Sequence, residues 1–552
     1  ASSPALLLPE KGASVQVVLF VLNTKYFAAG FGSSPRGEAG VRPPLHRMHQ
    51  DNPSSRITYI GTHNSLSMLT SIKSLIISLF LCLLSNLMSA QLRVANVFTS
   101  NMVLQRDQPI AIWGTTRPSV MVAVHFAGQE VAAKADATGK WSLQLKALPA
   151  SATPEKLEIY SDTSVISLHN VLVGDVWLCS GQSNMEYPLD RSLKRHAAPG
   201  KGTDLAKAEV ANTNRPDGIR YLYADRVLNK YPNLPTKGWA TGNDTIVNYV
   251  SAIGYFFAKE LFEKTGIPIG IISSSWGGTR IEPWTQPAAY KTSKIFESVA
   301  VGDTFKIDGS KTGQMFKGMI EPLVPMTIKG VLWYQGESNC MIEDQDTYKE
   351  KMRLLENNWR DVFHSPKLPF YTVQISPYLY TARKDPKPHS PELLAQFWEA
   401  QTQCMELPNT HMVVTTDLVD NLKDIHPSYK WIVAHRLAIQ ALYTEYNLHE
   451  MVVNSPAFKS LKRKKDQLVL SFENIGTGLQ SSDGKALSWF TIAGKDKVFV
   501  PAEAAVVNDK VVVSAASISK PKYVRFAWNE TAMPNLVSKE GLPCIPFRSD
   551  RD

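Results

Sequence analysis

Residues 121–126 form a largely apolar, strand-like run. Apolar and polar positions alternate with a period of two over 141–145, directly after the turn residues Thr138-Gly139, so both runs read as strands. No helical period of convincing length appears between 91 and 170, and a small β-sandwich is the natural package for that region. From Val171 the texture changes. A largely apolar run over 171–178 reads as a buried strand, and 248–265 places Val250, Ile253, Phe257 and Leu261 at helical spacing, with Gly266 as a stop signal. Strands over 267–273, 329–334, 370–375 and 411–416 then alternate with helices near 346–363, 393–405 and 431–446. Such alternation predicts a parallel sheet covered by helices on both faces, over 171–447. Short strands return after about 450, among them 468–472 and 510–514, and predict a C-terminal β domain over 448–552.

The first ninety residues stand outside this pattern. From Met68 a short segment with Lys73 leads into an apolar run over 75–84, and Met88-Ser89-Ala90 precedes Gln91. That is the layout of a cleaved secretory signal over 68–90. The run is shorter than the roughly 20 residues a membrane span needs, and Cys82 lacks the small neighbours of a lipoprotein cleavage site. The expectation is an exported protein, periplasmic or extracellular, with no stable membrane anchor after cleavage. Residues 1–67, upstream of that signal, read as a non-native or disordered extension.

Composition narrows the function classes. The net charge is +9, yet residues 1–90 hold seven Lys/Arg against three Asp/Glu, so the remaining excess is diffuse. Its one dense run, Lys462-Arg463-Lys464-Lys465, sits between strands and reads as a solvated turn, so no nucleic-acid partner is expected. Cys179, Cys340, Cys404 and Cys544 form no CxxC pair, which leaves zinc knuckles and redox motifs unsupported. Export permits one disulfide pairing; buried free thiols fit equally well.

Ligands of parallel α/β sheets bind beyond the carboxyl ends of the strands. After the first strand comes Cys179-Ser180-Gly181-Gln182-Ser183-Asn184-Met185, and after the second Ser275-Trp276-Gly277-Gly278-Thr279-Arg280. The third leads to Gln335-Gly336-Glu337-Ser338-Asn339, and the last to Asp417, Asp420, Asp424 and His426. A hydroxyl, a glycine turn, amide side chains and an Asp/His pair are the parts of an acyl-transfer site. His125, His169, His411 and His435 have no partners at metal-ligand spacing, so neither a metal nor another cofactor is expected.

In this order, GQSNM at 181–185, SWGGT at 275–279, QGESN at 335–339 and IHP at 425–427 resemble the SGNH (GDSL-like) hydrolase superfamily, and within it the sialate O-acetylesterase family. The stretch 101–106 and VWLCSGQSNME add to a likeness that spans essentially all of 91–552. The resemblance implies a fold of the α/β class, a three-layer SGNH-type parallel sheet flanked by N- and C-terminal all-β domains. It also implies metal-free removal of O-acetyl groups from sugars. Carried over by position, Ser183 is the nucleophile and His426 the base. The oxyanion donors are then the Ser183 N–H, an N–H of Gly277 or Gly278, and a side-chain amide.

Two positions depart from the superfamily pattern. Ser338 stands where an Asn is usual, so Gln335 or Asn339 must supply the amide, with Gln335 favoured as the residue that ends its strand. Lys423 stands where the orienting Asp is usual, which leaves Asp424, Asp417, Asp420 or a backbone carbonyl to orient His426. Arg280 and Trp284 follow the glycine turn as candidates for a sugar carboxylate and a sugar ring. Ordinary loop packing is the favoured reading of both. Glu337 reads as a buried structural carboxylate and Trp276 as core. The expected activity is a serine esterase that removes O-acetyl groups from sialic acid or sialoglycan through an acetyl-serine intermediate. Acetylated xylan or another polysaccharide is the alternative substrate. A carbohydrate-binding protein with a vestigial site is the alternative of another class.

Overall fold

The computed structural model describes residues 91–551 apart from 191–202, 213–214, 216, 229–233 and 386. The extension over 1–67 and the signal over 68–90 lie outside the described residues. A seven-strand run of sheet dominates, formed by β1 (Val165–Gly181), β2 (Ile219–Tyr223), β3 (Trp239–Thr241), β4 (Ile269–Ser275), β5 (Gly330–Tyr334), β6 (Phe370–Val373) and β7 (Thr410–Val413). Their order is β3-β2-β4-β1-β5-β6-β7. Every neighbouring pair is parallel except β2 with the edge strand β3.

Side-chain alternation along the strands places helices on both faces. Trp177 of β1 meets Phe257 of α1 (Ala252–Thr265) with ring centroids 4.9 Å apart. Trp333 of β5 pairs in register with Ser180, an odd number of positions from Trp177, and so turns to the other face. There it meets Trp359 of α2 (Tyr348–Val362) at 5.8 Å and Trp284 at 6.2 Å. Each fully buried ring of this kind contributes about 2–3 kcal/mol of burial, and Trp177, Trp333 and Trp359 are all buried. Helix α3 (Leu393–Gln403) packs beside α2, and α4 (Lys430–Glu445) beside α1.

Local signals explain the boundaries of α1. The Ser251 side chain accepts the Gly254 N–H at 3.2 Å and caps the first turn. Gly266, the expected stop, adopts a left-handed φ of 67° and returns its N–H to the Phe262 carbonyl at 2.8 Å.

The region 93–160 contains strands only among its regular elements. Arg93–Val94, Ile110–Thr115 and Lys140–Leu145 form one three-stranded sheet. The other strands join the central sheet through β1, whose first half pairs antiparallel with Ser151–Tyr160 and whose second half pairs parallel with β4 and β5. The textural change read at Val171 thus falls inside one continuous strand. The strand's partners change there, and the strand itself continues.

Toward the C-terminus, Ala457–Lys464, Gln467–Glu473, Lys510–Ser514 and Glu503–Val507 make a four-stranded antiparallel sheet. The basic run 462–465 lies exposed at the end of the first of these strands and its turn. Cys179, Cys340, Cys404 and Cys544 are all free, buried thiols. Among the described residues no helix is long and apolar enough to cross a membrane.

Candidate active site

Strand β1 ends at Gly181, whose φ is 130° and whose missing Cβ would collide with the Tyr334 carbonyl oxygen. Only glycine allows β1 and β5 to converge this closely before the chain turns. The turn is the four-residue helix Ser183–Glu186, in which the Met185 and Glu186 N–H groups bond the Gln182 carbonyl at 3.0 and 2.9 Å. Ser183 opens this turn, where the backbone N–H has no acceptor within the helix.

His426 reaches Ser183 from the loop after β7, and its Nε2 lies 2.8 Å from the Ser183 Oγ. The loop is folded rather than extended. The Asp424 N–H bonds the Asn421 carbonyl at 2.9 Å, and the Asp424 Oδ1 accepts the His426 N–H at 2.9 Å. That fold brings the Asp424 Oδ1 to 3.8 Å from the His426 Nδ1, within ion-pair reach although two residues along an extended chain would point the same way. The other two acidic candidates are engaged elsewhere. Asp417 takes a two-pronged contact from Arg436 at 2.8 and 2.6 Å, and Asp420 accepts the Tyr429 hydroxyl.

Behind the pair lies a buried network. The Asn184 Nδ2 donates to Glu337 and, at 2.9 Å, to the carbonyl of Ile425, the residue before His426. Its Oδ1 accepts the Lys430 ammonium at 2.6 Å. Glu337 is buried, as its sequence reading expects, and burial raises its carboxyl above the usual range against the pull of the Asn184 bond. Burial also drives the Lys430 ammonium down, to about 7, although Glu337 and Asp424 favour its charge.

The two glycines play different parts. A Cβ on Gly277 would sit 3.2 Å from the Ser183 Cβ and 2.9 Å from the Glu186 Oε2, whereas Gly278 has a φ of 76° and open space around it. Gly277 provides the close approach to Ser183 and Gly278 the turn. The Gly277 N–H donates at 2.7 Å to the Glu186 Oε2.

Gln335, Asn339, Arg280 and Trp284 have partners away from the Ser183–His426 pair. The Gln335 amide is buried, with its Nε2 on the Asn339 Oδ1 at 2.7 Å, the Gln182 Oε1 at 3.2 Å and the Thr279 carbonyl at 3.3 Å. Asn339 is equally enclosed, its Nδ2 on Asp344 at 2.7 Å and Glu282 at 3.3 Å. Both amides are therefore occupied by protein partners. The Gln182 amide stands beside Ser183 in the chain. Its Oε1 is pinned by Gln335, by the Gly336 N–H at 3.4 Å and by the Ser338 N–H at 3.2 Å, and its Nε2 donates to no acceptor among the described residues.

Trp284 is wholly buried against Trp333, its indole N–H on the Thr279 hydroxyl at 3.0 Å, so it offers no face to a sugar. Arg280 is bound to the carbonyls of Ile307 and Asp308 at 3.1 and 2.8 Å and lies 3.4 Å from Glu282. Packing accounts for both residues. Trp276, read as core, is only partly buried and lies under Arg226, 5.9 Å from its ring centroid.

Comparison with known proteins fits this geometry. The pattern of the family described as carbohydrate esterase, sialic acid-specific acetylesterase matches residues 173–441. Human sialate O-acetylesterase is 30% identical over 402 residues, covering 66% of this chain and 73% of its own. The Pongo abelii sialate O-acetylesterase is 28% identical over 503 residues, 82% of this chain and 92% of that one. Among solved structures, a carbohydrate acetylesterase from Xanthomonas citri is 33% identical with a TM-score of 0.73, covering 83% of this chain and 100% of that one. This chain belongs to the sialic acid-specific acetylesterase family of carbohydrate esterases and is a carboxylic ester hydrolase.

Proposed function

We propose that the protein is a serine esterase that removes O-acetyl groups from sialic acids through an acetyl-Ser183 intermediate. The observation that carries this reading is the 2.8 Å contact between the Ser183 Oγ and the His426 Nε2 at the carboxyl end of β1. His426 takes the hydroxyl proton as Oγ attacks the acetyl carbonyl carbon. The tetrahedral intermediate then collapses as His426 passes that proton to the departing sugar oxygen. Water, deprotonated by the same imidazole, attacks the acetyl-enzyme and releases acetate, which restores Ser183.

The negative oxygen of each tetrahedral intermediate is held by the Ser183 N–H, the Gly277 N–H and the Gln182 Nε2. Removing one such donor typically costs about 100- to 1000-fold in turnover. Asp424 holds the imidazole in orientation. No step in this sequence uses a metal or cofactor. The same reading makes the catalytic layer SGNH-type, with 91–170 and 448–552 as flanking β domains, and makes the protein exported.

The test is acetate release from O-acetylated sialoglycan and from acetylated xylan side by side, with Ser183→Ala as control. Release from the sialoglycan, abolished in the variant, is expected. Release from xylan alone would overturn the substrate, and release that survives in the variant would overturn the mechanism.

A further inference from the structure

Arg226 lies three residues beyond β2, at the end of the sheet that carries Ser183, and its side chain is 47% exposed. Its Nε donates at 2.7 Å to the Glu186 Oε1 and its Nη2 donates to the same oxygen. Its Nη1 donates to no acceptor among the described residues, and the guanidinium lies over Trp276. Glu186 closes the helical turn that Ser183 opens, and its second oxygen accepts the Gly277 N–H at 2.7 Å. The same Gly277 is held against Ser183, where a Cβ would stand 3.2 Å from the Ser183 Cβ.

A carboxylate thus occupies an amide placed to hold the oxyanion, and a solvent-open arginine holds that carboxylate there. A second negative oxygen cannot share this amide without strong like-charge repulsion. Glu186 must therefore leave before Gly277 contributes to catalysis, and besides the Gly277 N–H it is held by its ion pair with Arg226. A guanidinium fork matches a carboxylate in two-pronged fashion, so an acid group on the substrate is the natural competitor for it.

We propose that Arg226 recognises the carboxylate of the substrate sugar and that Glu186 is a latch exchanged for it. When the sugar carboxylate takes the Arg226 fork, Glu186 loses its partner and frees the Gly277 N–H for the oxyanion. An ester without a carboxylate leaves the latch closed. The proposal rests on the sialic acid reading above and adds to it the residue that selects the acid sugar.

The experiment compares kcat/KM for O-acetylated N-acetylneuraminic acid with that for its methyl ester, in which the carboxylate is masked. The protein should prefer the free acid by about 10- to 100-fold, the worth of a charge-assisted pair. Arg226→Gln should bring that ratio close to one, and Arg226→Lys should keep part of it. Glu186→Gln should raise kcat on the methyl ester relative to the free acid, because the latch then holds weakly on both Arg226 and Gly277. Circular dichroism on each variant separates loss of the ratio from loss of the fold, and the Glu186→Gln result stands if Arg226→Gln does not fold. A ratio near one in the unaltered protein, or an unchanged ratio in Arg226→Gln, would overturn the proposal while leaving the sialic acid reading intact. Acetate release from acetylated xylan alone would overturn both.

Discussion

Two lysines are buried on the carboxyl side of the same sheet, and they are held in opposite ways. Lys351 of α2 places its ammonium 2.9 Å from Glu282, 2.7 Å from Asp344 and 2.6 Å from Asp308. Burial opposes its charge, but Glu282 and Asp344 outweigh burial and raise it above the usual lysine range. Those three carboxylates converge closely enough to hold a cation, and the ammonium fills that position. Lys430, four residues after His426, instead meets the neutral Asn184 amide at 2.6 Å and the rings of Tyr187 and Tyr334 at 5.0 and 5.3 Å. Here burial wins. The contrast separates a rivet from a positioning group. Three carboxylates make Lys351 a fixed charge that ties the Glu282 turn to α2. The amide makes Lys430 a hydrogen-bond donor that aligns the Ser183 turn with the His426 loop through Asn184 and the Ile425 carbonyl.

Substitutions can break or sharpen this contrast, and the largest effect sets the scale. Ser183→Ala should lower kcat on an acetyl ester by at least about 1000-fold with no loss of thermal stability, since its removal takes away the nucleophile and little packing. Lys351→Met comes next. It leaves Asp344 buried without its counter-charge and Glu282 with Arg280 alone, and urea unfolding should show a loss of about 3–5 kcal/mol. The folded fraction should keep its kcat. If turnover falls more steeply than stability, Lys351 is not merely a rivet.

Lys430→Met should do the reverse. Glu337 is already pushed toward its neutral form, so the stability cost should stay near 1–2 kcal/mol. The loosened Asn184 should lower kcat about 10- to 100-fold with KM little changed. Equal loss in stability and rate would reduce Lys430 to a structural role.

A further difference lies in the pH dependence of stability. Lys430 holds its proton less tightly in the folded chain, at about 7, than in the unfolded chain. Between about 7 and the ordinary lysine value the unfolded state binds more protons, so this group makes stability rise with pH over that window. Lys351 has the opposite sign: its contribution is full below the ordinary lysine value and is lost as pH rises through its raised folded value. Urea titrations from pH 7 to 10 should therefore lose the upward component in Lys430→Met and keep it in Lys351→Met.

The sequence made the sheet legible wherever a strand was a largely apolar run. It also marked the end of α1, because Gly266 carries its own geometric reason. It did not reveal β2, whose run Ile219-Arg220-Tyr221-Leu222-Tyr223 holds a wholly buried arginine that breaks the apolar signal. Ser183 and His426 were legible from their motifs. Their supporting residues were not, because Gln182, Asn184 and Lys430 differ from scaffold residues only in where their hydrogen bonds end. Gln335 looked like an oxyanion donor because it ends β5. The structure places it one hydrogen bond further back, fixing the amide of Gln182. Arg226 belongs to no motif, and the one signal for it was its place just beyond a strand's carboxyl end.

The most direct measurement is covalent trapping of the nucleophile. The protein is treated with a fluorophosphonate, the modified peptide is mapped by mass spectrometry, and the rate of labelling is compared with that of His426→Ala. A single adduct on Ser183, formed far more slowly in the variant, is what the Ser183–His426 contact predicts. An adduct on a different serine, or labelling of Ser183 at an unchanged rate without His426, would contradict it.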